Sequence, residues 1–140
     1  MSRFLQIFIL LMAVLLGFTS CGDEPDGKWE KMKWTNVDNL MNIQGSYIIP
    51  EEGGTFRFQC WNYSVVWVDS YSINGVSYTL GGDDIPNVND LWFGLNITDN
   101  KMTITADPLP ESVESRYFSL DLTAGDIFDT LVFKQQRGVY

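Results

Sequence analysis

The chain has 140 residues, 9 Lys and Arg against 18 Asp and Glu, and a net charge of −9. Such a surface repels nucleic acid and anionic membrane faces, and no basic patch with interleaved aromatics offsets that repulsion. It contains no His, which removes Ser-His-Asp and Cys-His catalysis and the usual His-bearing zinc sites.

The first element is an export signal. Arg3 precedes Phe4 to Phe18, a stretch with Gln6 as its one polar side chain, and Ile7 to Leu16 is apolar throughout. A positive start followed by a short apolar run is a secretory pattern, and it falls short of the roughly 20 apolar residues of a membrane span. Gly17, Thr19 and Ser20 supply small residues just before Cys21. The segment resembles a bacterial lipobox, which implies cleavage after Ser20, acylation of Cys21 and a firm membrane anchor, since two or more chains hold where one does not. Gly22-Asp23-Glu24-Pro25-Asp26 resembles the acidic tract that sends lipoproteins of Bacteroidetes-type bacteria to the cell surface. The expected organisation is residues 1–20 as signal, 21–27 as an acidic tether and 28–140 as one domain. Once Arg3 is removed, 8 basic residues face 18 acids, and the net charge becomes −10.

From Lys28 the chain reads as strands separated by polar turns. Trp29 to Thr35 places Glu30, Met32 and Trp34 on one face, and Asp38 to Gln44 could form a single helical turn. Tyr47 to Pro50 ends at the turn Glu51-Glu52-Gly53-Gly54. Thr55 to Trp61 alternates, with Phe56, Phe58 and Cys60 inward. Cys60 is then a buried, hydrophobe-like thiol rather than a reactive one. Val65 to Ser70 is apolar on both faces, as in a central strand. Asn74-Gly75 between β-forming residues is a strong hairpin signal. Leu91 to Ile97 aligns Leu91, Phe93, Leu95 and Ile97. Lys101 to Ala106, Arg116 to Leu122 and Thr130 to Gln136 alternate similarly, with Thr123 to Asp129 as a loop. About eight or nine short antiparallel strands predict an all-β sandwich. Its expected core is Phe56, Phe58, Cys60, Trp67, Phe93, Leu95, Ile97, Ile104, Phe118, Leu120, Leu131 and Phe133.

Two stretches carry a family resemblance. Ile48 to Val68 ("IIPEEGGTFRFQCWNYSVVWV") and Glu114 to Gln136 ("ESRYFSLDLTAGDIFDTLVFKQQ") resemble the opening and the close of a BACON domain. That resemblance implies an immunoglobulin-like β-sandwich on a surface lipoprotein, with a carbohydrate-binding or spacer role. The chain departs from the pattern in the Asn74-Gly75 hairpin, in the Gly81 to Asp90 loop and in the additional Lys28 to Gly45 segment.

Few residues suggest chemistry. Asp83, Asp84 and Asp90, with Asn87 and Asn89, crowd one loop and are weak calcium candidates whose spacing fits no EF-hand. Glu51-Glu52 and Asp83-Asp84 are adjacent carboxylates, whereas a glycosidase needs two facing across a cleft. No catalytic residues and no cofactor are expected. Five Trp, six Tyr and nine Phe exceed the needs of a small core. Strand parity points Trp61 and Trp92 outward, where flat rings could stack on sugars. The expected function is a non-catalytic outer-membrane lipoprotein exposed at the cell surface, whose sandwich serves as a display, spacer or protein-contact module. The alternative is a carbohydrate-binding module of a glycan-uptake system using Trp61 and Trp92. The expected partners are the membrane through the anchor, and a neutral glycan or an outer-membrane protein.

Overall fold

The computed structural model describes residues 30–80, 82, 86 and 90–140. These form ten strands: β1 (Trp34–Asn36), β2 (Met41–Ile43), β3 (Ser46–Ile49), β4 (Gly54–Cys60), β5 (Trp67–Ile73), β6 (Val76–Thr79), β7 (Phe93–Thr98), β8 (Lys101–Ala106), β9 (Ser115–Ala124) and β10 (Ile127–Gln136). One sheet has the order β1-β4-β8-β7 and the other β2-β3-β10-β9-β5-β6. Every pairing is antiparallel except β10 with β3, which is parallel. The molecule is an immunoglobulin-like β-sandwich, with the inward faces of the two sheets meeting in one core.

Tight turns set the registers. Asn74 and Gly75 have φ of 49° and 87°, and Gln44 and Gly45 have 51° and 86°. Both central residues lie in the left-handed region, as the twist of a two-residue hairpin requires. Gly125, at φ 66°, heads a two-residue connection between Ala124 and Ile127. The expected loop at Thr123 to Asp129 therefore shrinks to Gly125-Asp126, and β9 and β10 each gain length. The expected helical turn at Asp38 to Gln44 is instead β2 and its turn, because Met41–Ile43 finds an edge on β3. Gly53 is required for another reason. Its φ is 72°, and a Cβ there would sit 2.3 Å from the Ala106 carbonyl oxygen.

Aromatic rings occupy the middle of the core. Phe118 is fully buried. Its ring stacks on Phe93 at 3.7 Å between centroids and on Phe133 at 4.8 Å, so it joins β9 to both sheets. Phe56, Phe58, Cys60, Ile104, Leu120, Leu131 and Phe133 are buried as expected. Trp67 is not. It is 55% exposed, because the β5–β9 register shifts between Val68 and Ser70. This β-bulge leaves Asp69 out of step and turns Val68 and Tyr71 inward. Without the bulge, strict alternation back from Tyr71 would bury the Asp69 carboxylate. Phe93, Leu95 and Ile97 are only half-buried, since β7 stands at a sheet edge.

The segment ahead of β1 is clamped to the β4–β5 connection. The Asn62 side chain accepts from Lys33 N at 2.8 Å and donates to the Lys31 carbonyl at 2.7 Å, and the Tyr63 hydroxyl donates to the Glu30 carbonyl. Asp38 accepts from the Arg57 backbone N–H at 2.7 Å and from its guanidinium at 2.7 and 3.1 Å. These bonds hold the Asp38 carboxyl below the usual carboxylate range. Any stability this pair adds is present near neutral pH and is lost as acid protonates Asp38.

Candidate functional site

At one side of the sandwich the two sheets do not close on each other. Val68 and Tyr71 of β5, Leu120 of β9 and Phe93, Leu95 and Ile97 of β7 line a slot of about 310 Å³, flanked by Leu80 and Leu91. The pattern of β7 explains this lining. Phe93, Leu95 and Ile97 alternate with Gly94, Asn96 and Thr98, so every apolar side chain of the strand faces the gap. Tyr71 forms the floor with its ring stacked on Tyr78 at 5.5 Å across the β5–β6 pair.

The same strand is a sheet edge, and among the described residues no strand pairs with its outer side. Asp107 N donates to the Trp92 carbonyl at 2.8 Å, which sets the phase of the ladder. Gly94, Asn96 and Thr98 bond toward β8, while Phe93, Leu95 and Ile97 turn their N–H and C=O groups to the open side. Edge strands are ordinarily blunted by charge, proline or short length. β7 has six residues, no charged side chain and no proline.

The residues singled out from sequence do not converge. Trp61 is exposed at 62%, with Lys33 Nζ 4.9 Å from its ring centre. Trp92 corrects the expectation: it is only 4% exposed. Its carbonyl bonds to Asp107, yet it stands just ahead of β7, and core packing rather than strand parity sets its side chain. Its ring packs edge-on to Phe118 at 5.0 Å and lies under the Arg116 guanidinium at 4.4 Å. A sugar cannot stack on it, and Trp61 and Trp92 form no joint platform. Their contacts place them at opposite ends of the sandwich, Trp61 bonding to Lys33 and Trp92 to Asp107. Asp90 is exposed, while Asp83 and Asp84 lie outside the described residues, as does Cys21. No cluster of potential metal ligands occurs among the described residues. Glu51 is paired with Arg137 at 3.4 Å and Glu52 is exposed.

Sequence reasoning missed two features. The slot depends on which strands end up at the sheet edges, which alternation does not encode; the lack of charge in Phe93–Thr98 was its one visible signal. The second feature is a buried polar node at the end that holds Trp92. Gln135 is fully buried. Its Oε1 accepts from Arg116 Nε at 2.8 Å, and its Nε2 donates to the carbonyls of Pro50 at 2.8 Å and Asp107 at 3.0 Å. Arg116 also donates to the Asp107 and Pro108 carbonyls, and burial lowers its pKa. The node ties the β3–β4 turn and the segment after β8 to the long β9–β10 hairpin.

No family model matches the chain, and no curated protein matches it. Among solved structures, the chain is similar to a protein from Bacteroides thetaiotaomicron determined by NMR, with 27% identity and a TM-score of 0.64 over 85% of this chain and 98% of that one. A chimeric titin Z1Z2 carrying a decorin peptide has 17% identity and a TM-score of 0.40, covering 77% of this chain and 49% of that one. The titin domains Z1Z2 in complex with telethonin give 17% identity and 0.39 at the same coverage.

Proposed function

We propose that the protein is a non-catalytic, lipid-anchored cell-surface module whose sandwich contacts another protein by accepting an extended segment along β7. The observation that carries this reading is the uncharged edge of β7 beside the apolar slot. An added strand would gain main-chain hydrogen bonds from Phe93, Leu95 and Ile97, and its alternate side chains would lie over the slot. The export signal, Cys21 and the acidic tract support anchoring at the surface of the outer membrane. The likeness to a Bacteroides thetaiotaomicron protein and the resemblance to BACON domains agree with that setting.

The contact is tested by site-specific photo-crosslinking on intact cells, with p-benzoylphenylalanine placed at Asn96, whose side chain is exposed. A discrete product of higher mass is expected. Gly94→Lys in the same chain is expected to abolish it: a Cβ there meets nothing within 4 Å, so the charge reaches the edge without disturbing the fold. A product that survives Gly94→Lys, or none from surface-displayed protein, would count against the edge as the contact. Anchoring is read separately. Intact-mass analysis of membrane-extracted protein is expected to show a triacylated Cys21, and Cys21→Ser is expected to release the chain or leave its signal uncleaved. An unmodified chain that begins elsewhere would contradict the anchor.

A further inference from the structure

Resting on the anchoring just proposed, we infer that the end of the sandwich bearing Trp61, Val65, Trp67 and Phe128 docks on the lipid surface. The connection Trp61 to Val66 joins the two sheets at this end, and Val66 N bonds to the Asp99 carbonyl in the β7–β8 turn. Trp67, Thr123 and Phe128 form one row across β5, β9 and β10. Residues paired in a row share a face, so both large rings project from the outer side of the six-stranded sheet. Phe128 is 65% exposed and Val65 also lies open. Solvent-exposed large hydrophobics gathered at one end of a small domain mark a contact surface.

The position of the chain's start selects the occupant. Glu30 lies at this same end, held there by Tyr63, and Lys31 and Lys33 are fixed by Asn62. Glu30 follows Cys21 by nine residues, a reach of at most about 30 Å. An acylated Cys21 therefore holds the aromatic end within about 30 Å of the bilayer. So short a link corresponds to an effective concentration on the order of millimolar, at which a weak contact is populated. Trp and Phe suit the zone between headgroups and acyl chains, where rings with an apolar body gain most.

Lys31, Lys33 and Lys101 sit at the aromatic end with Glu30, Asp69, Asp99, Asp126 and Asp129, so the described residues there carry a net charge of −2. So small a charge suits a zwitterionic lipid surface.

The test couples the chain 21–140 through Cys21 to maleimide lipid in phosphatidylcholine vesicles. Cys60 is fully buried and leaves Cys21 as the reactive thiol. Trp29→Phe is made throughout, so that no tryptophan precedes the described domain. In brominated lipid, emission is expected to fall by up to about half, as two of the four remaining tryptophans enter the interface. Trp61→Ala with Trp67→Ala, both at exposed positions, is expected to remove the quenching, and Phe128→Ser to weaken it. Absence of quenching, or quenching unchanged by the double substitution, would overturn docking. An emission change on adding a neutral polysaccharide, without quenching by lipid, would overturn it in favour of a glycan site on the same rings. Because the coupling is chemical, these results do not depend on acylation in the cell, which the intact mass reports.

Discussion

Replacing Phe118 with alanine is expected to lower the unfolding free energy by about 3–5 kcal/mol, the range for removing a fully buried aromatic ring. The ring is fully buried and stacked between Phe93 and Phe133, with Trp92 against its edge. Its loss would open a cavity between the sheets that strands on both sides cannot collapse to fill. For a domain of this size the melting temperature should fall on the order of 10–20 °C. Urea unfolding followed by circular dichroism measures the effect, with an unchanged m-value confirming that the denatured state is unaffected. Phe118→Leu, which keeps most of the volume, should cost less than about 1.5 kcal/mol. A loss below about 1 kcal/mol for the alanine variant would show that the ring is not central to the core.

The second large effect is expected at the polar node. Gln135→Leu preserves bulk but leaves the Arg116 Nε–H without its acceptor and takes one of two donors from each of the carbonyls of Pro50 and Asp107, all of which Gln135 satisfies at 3.0 Å or less. A buried group left without its partner costs about 1–3 kcal/mol, and more when it is charged, so a loss of about 2–4 kcal/mol is expected. Arg116→Met should be similarly destabilising, because the guanidinium also holds the carbonyls of Asp107 and Pro108 and covers Trp92. The double variant should lose clearly less than the two single losses added, since both changes dismantle one network. Hydrogen exchange provides a local readout. Gly53 N and Leu109 N bond to the carbonyls of Pro50 and Glu51, and their protection should drop first. Additive losses with unaltered protection at these amides would mean that the residues act independently.

Both predictions concern residues that the sequence marks unequally. Phe118 lies in an alternating run with Leu120 and Leu122, and the period of two is enough to place it inside. The Asn74-Gly75 hairpin was equally legible, because left-handed conformations at two successive positions favour that residue pair. Gln135 and Arg116 show nothing in sequence beyond their places at the end and start of strands. A glutamine in an alternating strand looks the same whether water or carbonyl groups surround it. Only folding brings Pro50, 85 positions away, within hydrogen-bond distance.

Local patterning therefore determined the fold class, the turns at Glu51 to Gly54 and Asn74-Gly75, Cys60 as a core thiol and most of the buried residues, because each follows from interactions within a few residues or from strand parity. The tertiary structure decided the rest. Trp67 turned outward because a bulge kept the Asp69 carboxylate from burial. Trp92 turned inward against strand parity because its ring packs on Phe118 and under the Arg116 guanidinium. Which strands lie at the edges is set by long-range pairing, and that pairing left β7 unpartnered beside the slot. The grouping of Trp61, Trp67 and Phe128 with the start of the domain arises in the same way, from connections that bring residues distant in sequence to one end of the sandwich.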